Sequence, residues 1–69
     1  MPIIIINGPP IEKIEKKRIL VRDLTDAAVQ AYGLPKEKIQ VLIKENWPEN
    51  VGTGGELLSD RKNKKTTRD

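Results

Sequence analysis

The hydrophobic pattern of this chain changes period twice. It opens MPIIIING, a β-branched run closed by Asn7-Gly8. Such a run predicts a strand over residues 2–7 that is covered on both faces. Gly8-Pro9-Pro10 then predicts a turn. From about Ile11 to Tyr32 the spacing becomes helical. Leu20, Val21, Leu24, Ala27, Ala28 and Ala31 recur every three or four residues, and Ile14 extends the stripe. Glu12 and Glu15 fall near the positive end of the helix dipole. Gly33 suits the left-handed residue that ends a helix, and Pro35 prevents continuation. Alternation returns in IQVLIKE, residues 39–45, which reads as a second strand. Ile39, Val41 and Ile43 face one way; Gln40, Leu42 and Lys44 face the other. Gly52, Gly54 and Gly55 predict a hairpin or bulged loop.

This order predicts an α/β (α+β) fold: a β-α-β subunit with parallel strands, a right-handed crossover and a C-terminal Gly-rich hairpin. One helix covers one face of two strands. Leu42 and alternate isoleucines of the first strand then need a partner. With 69 residues the chain makes one domain, of a size that is marginal alone. It has no cysteine to staple it. Association with copies of itself is the expected remedy.

Composition narrows the function. The net charge is +3. Residues 60–69 hold Arg61, Lys62, Lys64, Lys65 and Arg68 against Asp60 and Asp69, which accounts for all of it. Residues 1–61 therefore read as a single domain and 62–69 as a basic, disordered tail. The other reading of the tail is a polyanion-binding arm on a non-enzymatic oligomeric scaffold with an acidic partner. Nucleic acid is not an expected partner. No stretch approaches the roughly 20 apolar residues of a membrane span. The IIII run is too short for a leader core, so a cytoplasmic protein is expected.

The chain has no histidine and no cysteine, which removes the commonest metal ligands and the usual activator of serine. GTGG lacks the GK[ST] ending of a phosphate loop. Ser59 and the threonines read as turn formers. Glu45 and Glu49 read as solvated carboxylates, or as an acid–base pair. Pro2 remains. Its plain explanation is that a missing N–H costs nothing at the first position of a strand. Its chemical explanation begins with removal of Met1, which aminopeptidases perform before small residues. That exposes a secondary amine. An α-amino group has a pKa near about 7.7–8.0, a prolyl amine is more basic, and burial beside cations lowers the value. A neutral amine is a general base or nucleophile.

PIIII at the start, RILVRDLTDAA in the helix and VLIKENWPENVGTGGELLSDR together resemble the 4-oxalocrotonate tautomerase family over residues 2–61. The resemblance implies a homohexamer built as a trimer of dimers. It implies that Pro2 is the base moving a proton on an unsaturated keto/enol acid, without cofactor or metal. Aligned without gaps, the family's two substrate-binding arginines fall on Glu12 and Gln40. Its pocket-closing aromatic falls on Val51. Pro9 stands where the family uses a backbone N–H, which proline lacks. Lys17, Arg18, Lys44 and Arg61 are candidate replacement cations, and each is otherwise a solvated charge. Lys44 shares a strand face with Gln40 and is the first choice. Trp47 is the candidate replacement wall, or else packs at a subunit interface.

Overall fold

The structure, a computed structural model, describes residues 1–61. The expected tail over 62–69 lies outside the described residues. Strand β1 is Ile3–Gly8, helix α1 is Ile14–Tyr32 and strand β2 is Gln40–Glu45. A two-stranded hairpin follows, β3 at Gly52–Thr53 and β4 at Glu56–Leu57. Short 3-10 turns occupy Lys36–Lys38 and Pro48–Asn50. β1 and β2 are parallel, with Ile3 opposite Gln40 and Gly8 opposite Glu45. The β-α-β unit and the Gly-rich hairpin are as the sequence predicts.

Alternation decides which side chains are covered. Ile4 and Ile6 of β1 are half-buried, as are Val41 and Ile43 of β2. The covered side of α1 is Leu20, Val21, Leu24, Thr25, Ala28 and Val29. Ala28 and Ile39 are the most enclosed residues, each 8% exposed. The other sheet face holds Ile3, Ile5 and Leu42, which are 52%, 51% and 47% exposed. In the single chain, then, the isoleucine run is covered on one face only.

Two helical expectations are corrected. The helix begins at Ile14, not at Ile11. Lys13 is extended (φ −99°, ψ 123°) and makes no side-chain cap. Pro9 and Pro10 have no N–H to enter a helix, and the chain stays non-helical for three more residues. Glu12 thus precedes the helix, and only Glu15 is an acid in its first turn. The covered stripe also differs. Ala27, Ala31 and Ile14 are exposed, whereas Thr25 and Val29 are covered. At about 100° per residue, Val21, Leu24, Thr25 and Ala28 fall on one line, and Ala27 turns away from it. Ile14 and Ala31 lie in the end turns.

The chain reversals follow glycine chemistry. Gly33 ends α1 at φ 68°, ψ 29°, and its N–H donates to the Val29 carbonyl at 2.8 Å. Gly54 (φ 63°) and Gly55 (φ 84°) form the hairpin turn, where both central residues need positive φ. Among the described residues, no helix is long and apolar enough to cross a membrane.

Candidate active site

Pro2 stands at the head of β1, half-buried. Its carbonyl accepts the Gln40 N–H at 3.1 Å, which ties the two residues at one end of the sheet. Met1 is 80% exposed. While Met1 is attached, the Pro2 nitrogen is a tertiary amide with no basicity. Once Met1 is removed, the same atom is a secondary amine at the edge of an isoleucine strand.

The other candidate residues lie elsewhere. Lys44 is opposite Asn7, four positions along β2 from Gln40. At about 3.3 Å per residue that is roughly 13 Å. Lys44 is on the open sheet face with Gln40, as its alternation predicts. Trp47 follows β2, is 55% exposed, and accepts the Asn50 N–H at 2.8 Å through its carbonyl. Val51 donates its N–H to the Pro48 carbonyl at 3.3 Å, and its own carbonyl accepts the Leu58 N–H at 2.8 Å. It is half-buried and leads into the hairpin. One chain therefore brings Pro2 and Gln40 together, and places Lys44 and Trp47 at the opposite, carboxyl end of the sheet.

The cations divide by partner. Lys17 Nζ lies 2.8 Å from Glu45 Oε2, and Arg61 Nε lies 3.3 Å from Glu56 Oε1. Among the described residues, Arg18 and Lys44 have no ion-pair partner. Arg18 is exposed on the helix. Lys44 lies on strand β2, on the open sheet face, without an ion-pair partner among the described residues.

Glu45 corrects its sequence reading as a solvated carboxylate. Its Oε2 accepts the Ile11 N–H at 3.0 Å as well as the Lys17 ammonium. The hydrogen bond from Lys17, then that from Ile11, lowers its pKa below the ordinary 4.5, against a smaller opposing effect of burial. A signal was present in the sequence. After Pro9-Pro10, Ile11 is the first residue with an N–H to place, and an acid at the neighbouring strand end can take it.

Comparison with known proteins places the chain. Residues 2–61 match the family model described as tautomerase enzyme. A probable tautomerase of Lactiplantibacillus plantarum is 37% identical over 60 residues, covering 87% of this chain and 94% of that protein. The crystal structure of a 4-oxalocrotonate tautomerase homologue superposes with TM-score 0.79 at 35% identity, over 87% of this chain and 95% of the other. DmpI from Archaeoglobus fulgidus superposes with TM-score 0.73 at 42% identity, over 86% of this chain and 100% of its own. The chain belongs to the tautomerase family.

Proposed function

We propose that this protein is a cofactor-independent isomerase that moves a proton on an unsaturated 2-keto acid of the 2-hydroxydienoate type. Pro2 is the general base after Met1 is removed. The observation that carries this reading is where the family match begins. It starts at Pro2 and leaves out the exposed Met1. The neutral amine takes the enol hydroxyl proton and leaves a delocalised dienolate. The prolinium then returns a proton to the carbon at the far end of the conjugated system, giving the conjugated ketone. No electrons are exchanged with a cofactor.

A carboxylate substrate needs a cation in reach. Lys44 fills this role because Lys17 and Arg61 are already paired with acids and Arg18 lies exposed on the helix, away from the open sheet face. Gln40 supplies a neutral donor beside Pro2, and Trp47 and Val51 form the apolar wall. Pro2 and Lys44 sit at opposite ends of one sheet, so the pocket is shared between copies in a homohexamer. The open face supports association. Burying an aliphatic side chain is worth about 1.5–3 kcal/mol, so half-exposed Ile3, Ile5 and Leu42 together offer roughly 2–4 kcal/mol per subunit. Residues 1–61 form the catalytic unit, 62–69 are a dispensable tail, and the protein works in the cytoplasm.

Intact mass spectrometry of the purified protein checks the first step, with loss of Met1 expected. Turnover of a 2-hydroxydienoate by Pro2→Ala, with helical content and assembly size unchanged, is expected to fall roughly 10²–10⁴-fold. Activity of Pro2→Ala within a few-fold of wild type overturns the assignment.

A further inference from the structure

We infer that Glu45 is a positioning residue that clasps the β1–α1 connection, residues 9–13, against the carboxyl end of the sheet and so holds it as a wall of the substrate pocket. The pocket half of this inference rests on the tautomerase reading above.

Three elements meet at one carboxylate oxygen. Glu45 ends β2, Ile11 lies in the connection, and Lys17 lies in the first turn of α1. Oε2 takes the Ile11 N–H at 3.0 Å and the Lys17 ammonium at 2.8 Å. The next residue, Asn46, donates its N–H to the Gly8 carbonyl at 2.8 Å and fixes the start of the connection. The connection's own sequence offers few hydrogen-bonding anchors. Pro9 and Pro10 lack donors. The residue entering the helix, Lys13, makes no side-chain cap, where serine, threonine or aspartate usually would. Glu45 supplies from 34 residues away an anchor that local sequence does not.

This pair is also unlike the surface pairs. The Lys17 and Glu45 side chains are 28% and 26% exposed, against 67% and 64% for Arg22 and Asp23. A pair with most of its surface covered holds its geometry better than one competing freely with water. Its location favours a role in binding. Lys44, the proposed substrate cation, and Trp47, the proposed wall, flank Glu45 in the chain.

The test compares the full-length, Met1-processed wild type with Glu45→Gln, Glu45→Ala and Lys17→Met. Amide exchange of Ile11 is read by NMR, and kcat and KM are read on a 2-hydroxydienoate. Glu45→Ala is expected to speed Ile11 exchange and to lower kcat/KM roughly tenfold to a hundredfold through misplacement of the wall. Helical content and assembly size stay unchanged. Glu45→Gln keeps an acceptor for Ile11 and restores most of the protection and of kcat/KM; Lys17→Met leaves Ile11 protected. Unchanged Ile11 exchange in Glu45→Ala overturns the clasp. Faster exchange with unchanged kcat/KM overturns the pocket role. A wild type without turnover overturns the tautomerase reading and, with it, the pocket role, while the exchange data still decide the clasp.

Discussion

Ile3 stands opposite Gln40 in the parallel ladder, and the Pro2 carbonyl accepts the Gln40 N–H at 3.1 Å. This register sets the molecule's polarity. It puts Pro2 and Gln40 together at one end of the sheet. Asn7 and Lys44 share the other end, and Ile3, Ile5 and Leu42 line the face between.

That face is expected to be the assembly surface. Leu42→Asp places a charge at its centre, where burial in a dry interface costs several kcal/mol. Sedimentation is expected to show the assembly reduced to smaller species. An unchanged sedimentation coefficient would remove the open face from the interface.

Lys44 is expected to act on substrate binding. Lys44→Ala raises KM for a carboxylate substrate, and a charge-assisted contact of this type is worth about 1.5–3 kcal/mol, or roughly 10- to 150-fold. The wild-type KM also rises with salt, and the variant loses much of that dependence. Steady-state kinetics at two ionic strengths measure both effects.

The Glu45 clasp predicts a pH dependence of stability. Its carboxyl is held below the ordinary value of 4.5 in the fold. Such a group stabilises the folded state fully above about pH 4.5, and the contribution fades as pH falls through the lower folded value. Glu45→Gln is therefore less stable than wild type at pH 7, and the difference narrows on acidification. Denaturant midpoints between pH 7 and pH 3 measure it. A gap that stays constant over that range contradicts the ion pair's role.

Two glycines test the backbone. Gly33 has φ 68°, so Gly33→Ala forces a left-handed residue and costs about 1–2 kcal/mol. Gly8 lacks a positive φ and has open space around an added Cβ, so Gly8→Ala changes stability by about 0.5 kcal/mol or less. Equal midpoints for the two variants would refute the conformational argument at Gly33.

Much of this architecture is legible along the chain because it depends on short-range rules. The isoleucine run and IQVLIKE declare strands, the three-and-four spacing declares a helix, and Gly33 and Gly54-Gly55 declare the reversals. Each signal comes from residues near in sequence, whose backbone preferences need no distant contact. The tautomerase family was legible too, though by resemblance and not by these rules, in PIIII, RILVRDLTDAA and VLIKENWPENVGTGGELLSDR. What only tertiary structure decided are relations between distant residues. Thr25 and Val29 rather than Ala27 and Ala31 are covered, because the sheet chooses which line of the helix it meets. Lys17 is engaged by Glu45, while Lys44 has no ion-pair partner among the described residues. Pro2 and Lys44, though both on or beside the same two strands, stand at opposite ends. Glu45 acts on Ile11 across 34 positions, because a parallel crossover brings one strand's end beside the turn leaving the other. Periodicity reports which face a residue takes; only packing reports which residue it meets.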